Sequence, residues 1–254
     1  MVEYYKIPAP EFVFNRLDTT ANKDDFLRGL KITRADSSVG YLATYAAHPT
    51  NLPMKSTYLS SEYPGRIVSE LEAEVDFALF MAGMVGSHGL TGISGKNVEK
   101  IQQTGEQLSA KILNNEKLLP INQSAPIQYQ QIVLPVKKAK LRLGSNWQLR
   151  NWVFELGFGK ITASITLFKI DKLVMLSMPG DFSGELYQNQ IADNHENLEV
   201  IITSFNGDFV GYIIDDRHYW SGQKDEVNVM NWLGPHGGEY FAIITNQILS
   251  MLSE

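Results

Sequence analysis

The sequence predicts an α/β protein with a mixed, largely parallel sheet covered by helices on both faces. Two observations lead to this class. Several short runs, centred near residues 42, 79, 174 and 200, are almost continuously apolar, as strands covered on both faces are. Amphipathic helical patterns lie between several of these runs. No repeat, low-complexity tract or long linker interrupts the chain, so residues 1–254 are interpreted as a single domain.

Apolar alternation and short apolar runs bounded by turn residues predict the strands. They are Leu27–Ile32, Val39–Ala47, Phe77–Val85, Ile127–Val136, Lys160–Ile170, Leu173–Met178 and Leu198–Phe205. The region from Ile127 to Ile170 has two alternating stretches and few helical signals. It is therefore predicted to form an antiparallel hairpin at the sheet edge, in the middle of the chain.

Apolar positions at helical spacing predict the helices. The apolar faces consist of Ile67, Val68, Leu71 and Val75; of Val98, Ile101, Leu108 and Ile112; and of Phe241, Ile244, Ile248 and Met251. The first helix follows Pro64-Gly65, and the second follows the start signals Ser94 and Asn97.

Composition excludes several classes of function. With 28 acidic and 22 basic residues the net charge is −6, which gives no general attraction to nucleic acid or anionic membranes. The absence of cysteine excludes disulfides, thiolate metal sites and a cysteine nucleophile. The longest apolar run, Phe77–Gly86, is about half of the roughly 20 residues that a membrane-spanning helix needs. Met1–Pro10 lacks the apolar core of a signal peptide.

A local basic cluster stands out from this acidic background. It consists of Lys137, Lys138, Lys140, Arg142 and Arg150. Lysine on an edge strand prevents pairing with other chains, so a solvated strand and loop is the favoured interpretation. A binding role for these residues is the alternative.

Polar residues that follow apolar strands are the first candidates for a site, because ligands of α/β sheets gather at the carboxyl ends of strands. The four segments are Ala46–Thr50, Gly83–Gly89, Met178–Ser183 and Asn206–Tyr212. His48 suits a metal ligand, or it is a structural hydrogen-bonding residue. Asp181 is a candidate ligand or a helix N-cap. Tyr212 is a candidate site residue or a core tyrosine.

The other histidines give weaker signals. His236 lies just before the last helix, so it lines a site or caps that helix, whereas His195 and His218 are expected to be solvated. Since no pair has the spacing of a local zinc motif, any metal site must be assembled from distant segments. Ser87 lies beside His88 in a glycine-rich turn, which leaves a metal-independent serine esterase as a minor alternative. Val85 replaces the first glycine of the Gly-x-Ser-x-Gly motif.

Taken in order, these segments resemble the neutral/alkaline ceramidase family, including its bacterial relatives, from about residue 25 onwards. The matching segments are Ala46-Ala47-His48-Pro49-Thr50, Leu59-Ser60-Ser61-Glu62-Tyr63-Pro64-Gly65, Phe80-Met81-Ala82-Gly83, Met178-Pro179-Gly180-Asp181-Phe182, Gly211-Tyr212 and Gly234-Pro235-His236. The resemblance implies a secreted or periplasmic zinc-dependent amidase that hydrolyses N-acylsphingosines. It implies that His48, Asp181 and Tyr212 bind zinc, that Tyr212 also stabilises the oxyanion, and that the catalytic serine falls near Ser87. No nucleic acid or transmembrane partner is expected, only a small or lipid-like substrate.

The sequence departs from the family pattern at three points. The family has a further zinc-binding histidine upstream, whereas no histidine precedes His48. Asp181 replaces a glutamate, and its carboxylate is therefore expected to fall short by about 1.5 Å. In an ungapped reading Gly89 takes the position of the family's serine. Either the chain is a fragment that lacks the upstream segment, or it is a degenerate binding or structural domain that keeps the fold. His88 or His236 is a candidate for the missing ligand.

Overall fold

The computed structural model describes residues 1–53, 55–92, 97–144, 147–221 and 225–253. Its strands are β1 (Val2–Pro8), β2 (Val13–Asn15), β3 (Phe26–Thr33), β4 (Val39–Tyr45), β5 (Phe77–Ala82), β6 (His88–Leu90), β7 (Leu119–Pro120), β8 (Gln128–Val133), β9 (Ser164–Ile170), β10 (Leu173–Ser177), β11 (Asp181–Phe182), β12 (Glu199–Thr203) and β13 (Tyr212–Ile213). Its α-helices are α1 (Glu62–Glu72), α2 (Asn97–Leu113), α3 (Asn151–Phe158), α4 (Gly184–Gln190), α5 (Asp216–Ser221), α6 (Asp225–Met230) and α7 (Gly237–Ser253). Ser94, one of the predicted helix-start signals, lies outside the described residues.

The strands form two main sheets. The first has the order β5-β4-β3-β1-β7 and the second the order β12-β10-β9-β8. Each contains one parallel pair whose connection runs through a helix: α1 joins β4 to β5, and α4 lies between β10 and β12. The pairs β2–β6 and β11–β13 form two small additional sheets.

The two main sheets pack face to face, with helices on both outer surfaces. Tyr4 of β1 and Leu30 of β3 share a buried cluster with Leu173 of β10 and Ile201 of β12. On the far side of the first sheet, buried apolar residues of α1 and α2 pack against β1, β3 and β4. On the far side of the second sheet, α4 and α7 pack against β9, β10 and β12. The molecule is therefore layered as helix, sheet, sheet, helix.

This architecture confirms the predicted mixed α/β class but changes its details. The predicted sheet is divided into two, and antiparallel pairs outnumber the parallel ones: β4–β5, β10–β12 and β11–β13 are parallel. β8 and β9 pair antiparallel and β8 lies at a sheet edge, as predicted. Between them, however, the chain forms α3 rather than a short hairpin turn.

Other boundaries differ for local reasons. α1 begins at Glu62, so Pro64 lies in its first turn, where the missing proline N–H costs nothing. The prediction that the basic cluster lies on an edge strand is wrong, because residues 134–141 have no regular secondary structure. No helix in the described part of the chain is long and apolar enough to cross a membrane.

Candidate functional site

The chain segments that follow β4, β5, β10 and β12 meet around Ser204. The Ser204 hydroxyl donates to the carbonyl of Gly83 at 2.7 Å and accepts from the N–H of Phe182 at 3.2 Å. The N–H of Gly83 donates in turn to the carbonyl of Tyr45 at 3.1 Å. The strand ends that sequence reasoning singled out thus lie beside one another.

His48 is held by the segment that contains β6. Its backbone N–H donates to the carbonyl of His88 at 3.3 Å, and it forms an isolated parallel bridge with Gly89. Its side chain is 17% exposed, and its ring makes a T-shaped contact with the ring of Phe205, with centroids 6.1 Å apart. The Nδ1 atom of His48 is buried and has no hydrogen-bond partner among the described residues.

Asp181 lies opposite His48. Its side chain is 3% exposed, and Oδ1 is 3.4 Å from Nε2 of His48, beyond the usual length of a charge-assisted hydrogen bond. This oxygen has no hydrogen-bond partner in the described part of the chain. Asp181 is not the N-cap of α4, since Ser183 fills that position and accepts from the N–H of Leu186.

The separation of these two atoms fits a shared metal ion. Two ligands bound at about 2.0–2.1 Å to a tetrahedral zinc lie about 3.3 Å apart, close to the observed 3.4 Å. A buried carboxylate oxygen without a partner is costly, and a cation is one way to satisfy it. His48 and Asp181 have no third histidine or carboxylate within ligand distance among the described residues.

Tyr212 is the backbone neighbour of Asp181, because the two are Cα partners in the parallel pair β11–β13. Its hydroxyl oxygen accepts a hydrogen bond from the guanidinium of Arg16 at 2.6 Å, and the same guanidinium lies 5.4 Å from its ring centroid. Arg16 therefore fixes the position of the phenol. Tyr212 also belongs to a small buried cluster with Leu17, Ile214 and Val227, so the alternative interpretation as a core tyrosine stays open.

Ser87 and His88 are both fully buried and face different partners. The Ser87 hydroxyl accepts from the Ser183 hydroxyl at 2.8 Å and from the N–H of Glu185 at 3.3 Å. The His88 ring lies 3.2 Å from the carbonyl of Met84, so Nδ1 carries the proton and donates. Burial lowers the pKa of His88 to about 4, which keeps the ring neutral. The two side chains are not hydrogen-bonded to each other.

His236 belongs to a different group. Its ring Nδ1 lies 3.0 Å from a carboxylate oxygen of Asp216 and 3.2 Å from one of Glu239. These three residues could hold a cation, because their ligand atoms lie within 4.8 Å of one another. His236 is 64% exposed at the start of α7, so ordinary surface ion pairing also accounts for the arrangement.

Sequence reasoning missed a buried polar cluster around Glu185. This fully buried carboxylate accepts from Asn15 at 2.6 Å, from His218 at 3.0 and 3.1 Å, and from Arg217. Burial alone would raise the pKa of Glu185, but the hydrogen bonds from His218 and Asn15 outweigh it and lower the pKa. No local pattern in the sequence predicts such a cluster, because its members come from three distant segments.

Two histidines that were predicted to be solvated are instead buried. His218 is 8% exposed because it turns inward to Glu185. His195 is 7% exposed and lies 3.0 Å from the side-chain oxygen of Asn246 in α7. Both predictions failed because a polar sequence neighbourhood does not reveal a partner in another helix.

The layered arrangement of two mixed sheets between helices is that of the ceramidases of known structure. Neutral ceramidase from Pseudomonas aeruginosa superposes with a TM-score of 0.74 at 12% identity over 99% of this chain and 52% of that chain. A ceramidase complexed with C2 superposes with a TM-score of 0.75 at 12% identity over 99% of this chain and 53% of that chain. The chain therefore has the ceramidase fold and spans about half the length of these proteins. The sequence matches no protein-family model and no curated protein.

Proposed function

We propose that this ceramidase-fold domain is a zinc-dependent hydrolase that cleaves an amide or ester bond of a lipid-like N-acyl substrate. One observation carries the proposal: Oδ1 of Asp181 is buried without a hydrogen-bond partner among the described residues and lies 3.4 Å from Nε2 of His48, the separation expected of two ligands of one zinc ion. Zinc is the metal that the sequence resemblance implies, and histidine with carboxylate suits it.

Each residue has a distinct role in this proposal. His48 and Asp181 hold the metal from opposite sides. Tyr212 completes the site, and its hydroxyl, positioned by Arg16, donates to the oxyanion that develops on the scissile carbonyl. Phe205, whose ring packs against His48 in a T-shaped contact, provides an apolar wall for the acyl part of the substrate. When bound, zinc supplies a Lewis acid that acidifies water and polarises a carbonyl oxygen.

The second candidate is a domain that keeps the fold and the pocket but lacks catalysis. The burial of Ser87 favours it. The Ser87 hydroxyl is inaccessible and engaged by Ser183, so it does not act as a nucleophile in this arrangement. In this alternative His48 and Asp181 line a binding pocket for a lipid-like or glycan ligand.

Metal content tests the proposal. Protein purified without added metal should contain about one equivalent of zinc, and His48→Ala should lose it. His236→Ala is the matched control, since it removes a histidine from the other candidate metal group. The proposal fails if zinc persists in His48→Ala but disappears in His236→Ala, or if the parent protein binds none.

Activity separates the two candidates. Hydrolysis of an N-acylsphingosine or of a generic acyl ester should be abolished by a chelator, restored by zinc and lost in His48→Ala. Zinc binding without turnover of either substrate would favour the binding domain. Turnover that a chelator leaves unchanged but Ser87→Ala abolishes would instead support a serine esterase.

A further inference from the structure

A cavity of about 580 Å³ lies between the irregular segment after β8 and two stretches near α5 and α7, residues 219–220 and 231–235. Its walls include the basic cluster noted in the sequence. The lining residues are Lys137, Lys138, Lys140, Arg142, Gln148, Tyr219, Trp220, Asn231, Trp232, Leu233, Gly234 and Pro235. His48 and Asp181 are not among them.

The charge of this cavity is the opposite of that of the whole chain. Four of its lining residues are cationic and none of the described lining residues is acidic, although the chain has more acidic than basic residues. The side chains of Lys138 and Lys140 are exposed and have no ion-pair or hydrogen-bond partner among the described residues, although the backbone N–H of Lys140 donates to the carbonyl of Trp232 at 3.0 Å. Lys137 donates to the carbonyl of Pro235 at 2.9 Å, which anchors it at the rim. The two unpaired ammonium groups of Lys138 and Lys140, side by side on one wall, attract anions.

Arg142 places a buried positive charge in the same wall. It is 5% exposed, and its guanidinium donates to the carbonyls of Gly144 at 2.9 Å and Tyr219 at 2.8 Å. The guanidinium also lies 4.4 Å from the ring centroid of Tyr219. These contacts fix a cation within the cavity wall, whereas Lys138 and Lys140 are exposed.

Two further lining residues carry polar atoms without partners. Asn231 and Trp232 are buried, with only 5% and 6% of their surfaces exposed. Within the described residues, Oδ1 of Asn231 and Nε1 of Trp232 have no hydrogen-bond partner. The Trp232 indole is packed against Phe154, so it cannot turn to find a partner. Buried polar atoms are normally satisfied, which points to a ligand or water that supplies the missing partners.

We propose that this cavity binds an oxyanion of the phosphate or sulfate monoester class. Lys138, Lys140 and Arg142 supply the positive charge, and the indole N–H of Trp232 is an additional donor. Asn231 accepts from a hydroxyl group that the same ligand carries. Trp220, which is 65% exposed at the rim, covers the apolar part of the ligand. The oxyanion belongs to a soluble metabolite or to a lipid headgroup.

Calorimetric titration of the full chain with inorganic phosphate, sulfate and glycerol phosphate tests the site. We expect saturable binding that weakens as salt is added. Lys138→Gln and Lys140→Gln should each raise the Kd about fivefold, and Trp232→Phe, which keeps the ring packing, about tenfold. Lys172→Gln is the matched control. Lys172 lies in the turn between β9 and β10, at one end of β9, whereas the end of β8 that leads into the cavity segment pairs with the other end of β9.

A vesicle experiment distinguishes the source of the oxyanion. Co-sedimentation with phosphatidylcholine vesicles that contain phosphatidic acid reports a lipid headgroup, whereas binding of glycerol phosphate alone reports a soluble ligand. Leu156 of α3 is 82% exposed, and Leu156→Ser should weaken vesicle binding while it leaves phosphate binding unchanged if the headgroup is the ligand. The proposal is overturned if none of the anions or vesicles binds, or if Lys172→Gln weakens binding as much as Lys138→Gln. These results do not depend on a metal at His48.

Discussion

Replacement of His88 by asparagine should change how stability depends on pH. His88 is fully buried, and burial lowers its pKa to about 4, so the folded protein keeps the ring neutral over most of the acidic range. In the unfolded chain a histidine has a pKa of about 6.5. Asparagine does not titrate, and its amide can replace the Nδ1–H donor that serves the carbonyl of Met84.

The size of the effect follows from the two pKa values. As the pH falls below about 6.5, His88 becomes protonated in the unfolded state, whereas in the folded state it stays neutral until about pH 4. The free energy of unfolding therefore decreases with falling pH between these two values. The full difference of about 2.5 pKa units corresponds to about 3 kcal/mol, and the part between pH 7 and pH 5 to about 2 kcal/mol.

Urea denaturation in the presence of a chelator measures this difference. Between pH 7 and pH 5 the parent should lose about 2 kcal/mol more of its free energy of unfolding than His88→Asn does. The absolute stability of the variant is immaterial, because only the change with pH is compared. Equal losses in the two proteins would refute the assignment of a neutral, buried imidazole.

Two further predictions concern stability alone. Asp24→Asn removes the bidentate partner of the buried Arg28, whose bonds are 2.6 and 2.8 Å long, and should lower the free energy of unfolding by about 3–5 kcal/mol in urea; a loss below about 1 kcal/mol would show that the guanidinium finds other partners. In thermal unfolding, Gly211→Ala should lower the free energy of unfolding by about 3 kcal/mol or more. Gly211 has φ +81°, and a Cβ there would lie 2.0 Å from the carbonyl oxygen of Met230. Gly207→Ala, at φ +78° with open space around it, is the control and should cost about 1–2 kcal/mol in the same thermal unfolding assay. Similar losses in the two alanine variants would contradict the steric argument.

Much of the fold could be predicted from periodicity, but not how the sheets stack. The runs that became β4, β10 and β12 are apolar because both faces of each strand are covered, and the sequence signal is the same whether helices or another sheet provide the cover. β5 is equally apolar in sequence, but it lies at the sheet edge, and Phe77 and Leu79 on one of its faces are exposed. β1 shows the difficulty. Its adjacent Tyr4 and Tyr5 point to opposite faces, one towards the second sheet and one towards the α1–α2 layer, so both are buried and no alternation is visible.

The candidate site, like the fold, could be predicted from the sequence only in part. Sequence reasoning selected His48 and Asp181 because each follows a strand, and the fold brings these side chains together. The cluster of Glu185 with His218 was not predictable, since neither residue follows a recognisable motif and the partners meet only through the packing of α4 against α5. The basic cluster was recognised but was assigned to a strand, because alternation of lysine with apolar residues occurs in irregular chain as well.

The distance between His48 and Asp181 also bears on the shorter side chain at position 181. If the backbone at position 181 lay where a glutamate ligand would require it, the shorter aspartate side chain would leave its carboxylate about 1.5 Å too far from a shared metal. In this chain the backbone of Asp181 is close-packed against Gly86, where an added Cβ would lie 2.3 Å from the carbonyl oxygen of Asp181. The N–H of Gly86 also donates to the carbonyl of Phe182 at 2.9 Å, which holds the two segments at this separation. Because a 3.4 Å separation from His48 already matches the edge of a zinc tetrahedron, a longer side chain on this backbone would overreach. The aspartate is therefore consistent with the proposed metal site and is not by itself evidence of degeneration.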